Sequence, residues 1–254
     1  MTLLVDVGNT RVKWARLDAT GALGPQRAAT YAGWSAGDWQ RALFDGVPPD
    51  RVVASSVASA SVNAALDDAA RAAGSRPVEF VVATAEAVGV RSGYGDPRQL
   101  GVDRWMAVIG AWHLVRGDCL VVDVGTAATV DFVAADGSHR GGYIVPGPAL
   151  MVGSLLRSTS DLGTRHGAGN GGGEDTTTFA DNTRDAIERG CRLALAALVE
   201  RSYADAARAA QGRPVRLLLT GGAADDVRAQ LRVEAEPVPD LVLRGLRELV
   251  LLRN

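Results

Sequence analysis

The chain has 254 residues, 47% of them hydrophobic, with 27 basic against 29 acidic side chains and a net charge of −2. That length suits one or two domains with a full apolar core, and the charge balance disfavours a general nucleic-acid footprint. No apolar run reaches the roughly 20 residues of a membrane helix, and an acid at position 6 comes too early for a secretory leader. A cytoplasmic protein with neither a membrane nor a nucleic-acid partner is therefore expected.

The first element is the apolar run Leu3-Leu4-Val5-Asp6-Val7, a buried strand closed by Gly8-Asn9-Thr10, after which 11–17 alternates like the returning strand of a hairpin. Residues 51–56 and 78–82 have the composition of buried strands, and 61–73 between them has helical spacing with Gly74 as its stop. A helix is predicted over 101–116, with Met106, Ala107 and Ile109 facing inward and Gly117 ending it. The strand pattern then recurs as Leu120-Val121-Val122-Asp123-Val124-Gly125-Thr126. Aligning Asp6 with Asp123 puts Gly8 on Gly125 and Asn9 on Thr126, an internal repeat at an offset of 117 that divides the chain into 1–116 and 117–254.

In the second half a helix is predicted from Asn182 or Thr183 towards Gln211, with Ala186, Ile187, Ala194, Leu195 and Leu198 as its apolar stripe. A strand at 215–219 ends in Thr220-Gly221-Gly222, and Asp240 precedes a short final helix. Residues 163–173, with six glycines in eleven, have no periodicity and suit a loop. Cys119 and Cys191 are too few for a disulfide framework and lack metal-ligand spacing, so buried thiols are expected. The five tryptophans suit core or interface anchors. His113 falls on the 101–116 helix, whereas His139 and His166 fall in predicted loops.

A glycine turn after a strand exposes consecutive amides that can cradle phosphate. Thr10 adds a hydroxyl, and Lys13, the single lysine beside 26 arginines, could supply a compact point charge to the outermost phosphate. Asp6 would repel polyphosphate unless a divalent cation lay between them, the usual role of Mg²⁺, and Asp123 poses the same problem. Either turn alone is also what an ordinary hairpin looks like; the pairing of two favours a nucleotide clamp. Gly101-Val102-Asp103-Arg104 opens a helix, where a helix terminus and an arginine suit a carboxylate ligand and Asp103 could accept a proton. A plain dipole-complementing acid fits the same residues. The 141–147 segment offers either close backbone approach to a ligand or two turns around a short strand.

Asp6-Val7-Gly8-Asn9-Thr10, Gly101-Val102-Asp103-Arg104, Asp123-Val124-Gly125-Thr126 and Gly141-Gly142-Tyr143-Ile144-Val145-Pro146-Gly147, in this order, resemble the type III pantothenate kinases, and the likeness runs essentially from end to end. The resemblance implies an α/β protein with two tandem ribonuclease-H-like halves of the actin-like ATPase fold and a nucleotide cleft between them. It implies phosphorylation of the primary hydroxyl of pantothenate by ATP, the first step of coenzyme A synthesis. Asp6, Val7, Gly8, Asn9, Thr10, Arg11, Val12, Lys13 and Thr126 then match the ATP-binding positions. Tyr94, Gly101, Val102, Asp103, Arg104 and Thr183 match the substrate positions, with Asp103 the general base. Asp123 matches a position taking a monovalent cation, potassium or ammonium, while Asp6 stays the metal candidate for Mg²⁺ on the charge argument above. A homodimer is implied, with the substrate pocket near the subunit interface, so that Thr183 serves either its own subunit's site or the neighbouring one's. The alternative is a regulatory or accessory protein on the same scaffold, because a kinase fold does not by itself guarantee kinase function.

Overall fold

Strand β1 (Thr2–Val7) is apolar on both faces because both are covered. In the computed structural model, which describes residues 1–158 and 179–252, it is the middle of a five-stranded sheet. β2 (Arg11–Leu17) and β3 (Arg27–Thr30) run antiparallel on one side, and β4 (Arg51–Ser56) and β5 (Glu79–Phe80) run parallel on the other. Leu3, Val5 and Val7 pack outward on α1 (Ala36–Phe44) and α2 (Ala60–Ala72), whereas Leu4 faces a second, central core.

The chain then makes a small hairpin, β6 (Glu86–Ala87) with β7 (Val90–Arg91), and enters α3 (Val102–Val115). The second half repeats the first. β8 (Asp118–Val124) lies mid-sheet, flanked by β9 (Ala127–Val133) and β10 (His139–Pro146) on one side and by β11 (Val215–Thr220) and β12 (Glu236–Pro237) on the other. Its outer face packs on α5 (Thr183–Ala209) and the short α6 (Ala224–Arg228), while α4 (Pro148–Ser158) follows β10. The order 3-2-1-4-5, with two antiparallel neighbours on one flank and parallel ones on the other, is identical in both sheets and is that of the actin-like ATPase fold.

Between the sheets lie α3 and the last helix, α7 (Leu241–Leu252). They cross at Gly110 and Gly245. A Cβ on Gly110 would run into the Leu241 carbonyl, and one on Gly245 into that of Met106, so only glycine lets the backbones meet. Leu4 and Val53 of the first sheet and Val121 and Leu218 of the second share this core with Trp105, Ile109, Leu243 and Leu246. The C-terminal helix is thus joined to both sheets. No helix among the described residues is long and apolar enough to cross a membrane.

Several local expectations are corrected. Residues 78–82 form only a two-residue strand, and Val82 is exposed, because β5 is an edge with β4 on one side alone. Helix α3 ends on Arg116, not Gly117: Arg116 takes the left-handed φ of +51°, with its guanidinium over the Trp112 ring and donating to His113. In α5, Ala186 and Ala194 are exposed; the buried stripe runs through Cys191, Leu195, Ala196, Val199, Ser202 and Ala206. Residues 141–147 belong to a continuous strand and its end, not to two turns. His139 is not in a loop but is the buried first residue of β10. His166 and the 163–173 segment lie outside the described residues.

Candidate active site

Because side chains alternate along a strand, Asp6 points to the same face as Leu4, into the layer between the sheets. Lys13 stands directly opposite it on β2. The turn that joins them closes through the Gly8 amide donating to the Arg11 carbonyl at 3.0 Å, and Tyr31 braces it by donating its hydroxyl to the Gly8 carbonyl at 2.6 Å. Val7 and Val12 are fully buried against the outer helices, so neither side chain faces the cleft. Asn9, Thr10 and Arg11 form the exposed tip.

The second turn is built likewise but is one residue shorter. There the Gly125 amide donates to the Ala127 carbonyl at 3.0 Å, and Asp123 faces Thr129. Beyond the turn the repeat therefore runs at an offset of 116, not 117, and Thr10 is the equivalent of Thr126. The two hydroxyls share a hydrogen bond of 3.0 Å, bringing the tips of the repeated hairpins together. Gly221, at φ +98°, turns the end of β11 close to Asp123 and Val124, where any side chain would collide.

Asp103 joins this group from the first turn of α3, its Oδ1 accepting the Arg104 amide at 2.8 Å. Burial pushes Asp6 up to about 7; Lys13 opposes the rise, and Asp123 and Asp103 add to it. Asp123 is also held above the usual carboxylate range by burial, against Lys13 and with help from Asp103. Asp103 is raised by burial, against the Arg104 amide and guanidinium and with a further push from Asp131. Three carboxylates thus feel one another across a cleft in which Lys13 is the cation acting on both Asp6 and Asp123. Such a site carries more negative charge than its own residues compensate. That excess suits cations bound with a polyphosphate. No group of three or more His, Cys, Asp or Glu among the described residues could hold a metal alone, so an ion here would complete its shell with phosphate oxygens and water, as Mg²⁺ habitually does.

Arg104 is buried and largely committed. Its Nε and Nη2 donate to the two oxygens of Asp131 at 2.9 and 2.7 Å, and its Nη1 donates to the Tyr94 hydroxyl at 2.9 Å. These bonds use three of the five N–H groups of a guanidinium. Asp131 also accepts from His139 Nε2 at 2.8 Å. Neither Asp131 nor His139 stood out in the sequence. The signal that could have found Asp131 is an acid in the middle of an otherwise apolar strand; a lone histidine before two glycines offers none.

Thr183 is not brought to the three carboxylates by its own chain's contacts. It is exposed at the start of α5 and lines a groove of about 650 Å³ with Pro146, Met151, Leu155 and Ile187. Leu150, Leu155, Leu156 and Leu193 are exposed on α4 and α5, as are Tyr143 and Ile144 on β10.

Comparison with known proteins matches the sequence to a family. Residues 2–205 fit the profile of the type III pantothenate kinases. A protein of Azoarcus sp. strain BH72 named type III pantothenate kinase is 44% identical over 247 residues, spanning 97% of this chain and 89% of the relative. Among solved structures, a Baf family protein from Campylobacter jejuni aligns with a TM-score of 0.60 at 18% identity, covering 99% of this chain and 98% of that one. Component A of the Acidaminococcus fermentans (R)-2-hydroxyglutaryl-CoA dehydratase aligns with a TM-score of 0.54 at 14% identity, covering 99% and 96%. At those identities both likenesses bear on the fold alone.

Proposed function

The chain belongs to the type III pantothenate kinase family, and from that membership we propose the part each cleft residue plays in its reaction. The reaction is the ATP-dependent phosphorylation of the primary hydroxyl of pantothenate, which opens coenzyme A synthesis. The observation that carries the assignment is the convergence of Asp6, Asp103 and Asp123 on one cleft beside Lys13, between two glycine turns joined at Thr10 and Thr126.

The segment 6–13 and Thr126 bind the polyphosphate. The amides at the turn tips and the Thr10 and Thr126 hydroxyls face phosphate oxygens, and Lys13 neutralises charge on the transferred group. Val7 and Val12 serve through backbone alone, since their side chains fill the outer core. Mg²⁺ beside Asp6 and a potassium or ammonium ion beside Asp123 would supply the positive charge that offsets the phosphates. Tyr94, Gly101, Val102 and Arg104 bind the acceptor, Arg104 through the two N–H groups not engaged by Asp131 and Tyr94.

Asp103 takes the hydroxyl proton. As the new P–O bond forms on the pantothenate oxygen, the bond from the γ-phosphorus to the bridging oxygen of ADP breaks. The O–H electron pair stays on the attacking oxygen and the proton passes to Asp103. Its raised pKa makes it a better proton acceptor than an ordinary carboxylate. Proton transfer can follow bond formation in a loose transition state, so a moderate base suffices.

A homodimer accounts for Thr183. Thr183 shares its groove with Leu155, one of several exposed apolar side chains on α4, α5 and β10, and a second copy covering them would bring Thr183 to the partner's acceptor pocket. Purified protein assayed with ATP, Mg²⁺ and pantothenate, in potassium and in sodium, tests these assignments. Turnover in potassium that collapses in sodium is expected. Equal turnover in both would remove the ion from Asp123 and leave the kinase standing.

A further inference from the structure

We propose that Asp131 and His139, two residues of the second half with no direct part in the chemistry, position the acceptor-binding segment of the first half. They fix Arg104 and Tyr94 and, through the first turn of α3, the carboxylate of Asp103. The inference rests on the assignment of that segment to pantothenate.

The internal repeat supplies a built-in control. With the one-residue offset past the turn, Asp131 on β9 is the counterpart of Ala15 on β2. Both are almost fully buried, at 2% exposure. The strand therefore tolerates a small apolar residue at this place, and an ion pair there is poor evidence of a stability role. What differs is the partner. Asp131 receives the Nε and Nη2 of Arg104 in a two-pronged grip that fixes the plane of the guanidinium and directs Nη1 to the Tyr94 hydroxyl. The amide of the same Arg104 donates to Asp103.

His139 completes the clamp. An ionised Asp131 can only accept, so the 2.8 Å contact requires the proton on Nε2. The His139 ring lies parallel to that of Tyr94, 13° apart in plane and 6.0 Å between centroids. Its Nδ1 is buried without a partner among the described residues, an arrangement that costs stability. Two glycines make room for the cluster. A Cβ on Gly142 would run into the Val130 carbonyl and also press on Asp131 Oδ1, and one on Gly93 would run into the His139 carbonyl. Buried polar groups, one left unsatisfied, in a place where the repeat manages with alanine mark a local rule broken for function.

Separate titration of pantothenate and ATP, with melting temperatures alongside, distinguishes positioning from structure in the 254-residue chain. For Asp131→Asn and His139→Phe, kcat/KM for pantothenate should fall on the order of 10- to 100-fold, the scale of an ångström's misplacement, while the KM for ATP stays within about twofold. His139→Gln, which retains an N–H donor for Asp131, should recover part of what His139→Phe loses. If Asp131→Asn does not fold, His139→Phe with its glutamine counterpart decides the matter. An unchanged kcat/KM for pantothenate, or losses in both substrates that track the melting temperature, would overturn the inference. Turnover by the unaltered chain tests the kinase assignment by itself, so the two failures are distinct.

Discussion

The two hairpins at the heart of the cleft share an apolar strand, an aspartate and a glycine turn, yet they part company directly after the turn. The first sets Lys13 opposite Asp6; the second, one residue shorter, sets Thr129 opposite Asp123. Two positions further on, the first has Ala15 and the second Asp131. One half thus carries its own cation beside the carboxylate and leaves its strand plain. The other leaves its carboxylate without a cross-strand cation and spends a buried acid on Arg104. The duplicated scaffold supplies symmetry, and these departures from it distribute the work.

The comparison can be broken first where the halves meet. If both turns hold nucleotide and the chemistry lies between them, Asp103→Asn should lower kcat by about 10²- to 10⁴-fold, the usual worth of general-base catalysis. ATP affinity, read by equilibrium binding, should be nearly unaltered; a matching loss of ATP binding would place Asp103 with the nucleotide instead.

Exchanging the cross-strand partners sharpens the contrast. Lys13→Thr makes the first hairpin resemble the second and should weaken ATP binding by about tenfold, the equivalent of one charge-assisted contact at roughly 1.5 kcal/mol. Thr129→Lys makes the reverse change and puts an ammonium beside Asp123. Activity that no longer distinguishes potassium from sodium is the expected result, and retained salt dependence would argue that the monovalent ion sits elsewhere.

Asp6 makes a prediction about stability. Its carboxyl titrates at about 7 in the folded chain and near 4 when unfolded. The unfolded state therefore releases its proton first, and the ligand-free protein should lose stability as pH rises between those values. Asp6→Asn should raise the melting temperature at pH 8 by about 2–4 °C per kcal/mol relieved, and do little at pH 4. An equal shift at both pH values would mean that the gain has nothing to do with charge.

The smallest effect belongs to the contact between the tips. Thr126→Val removes the hydrogen bond to Thr10 and should cost about 0.5–1.5 kcal/mol, a severalfold rise in KM for ATP. If instead the variant loses more than Lys13→Thr, the tip contact rather than the lysine organises the clamp.

Much of this was legible along the chain. The apolar runs marked β1, β4, β8 and β11, whose two faces are both covered, and helical spacing marked α2, α3 and α5. The two Asp-Val-Gly turns announced the repeat, and the ordered motifs pointed to the family. Edges and ends were less clear: an edge strand such as β5 buries one flank only, and the left-handed residue closing α3 is an arginine held by stacking on Trp112. Local pattern, with its 2.0- and 3.6-residue periods, determined which segments form strands and helices. Long-range packing alone decided that β9 and β10 present Asp131 and His139 to a helix that begins at Val102, since a buried ion pair forms between residues distant in the chain and leaves no period behind.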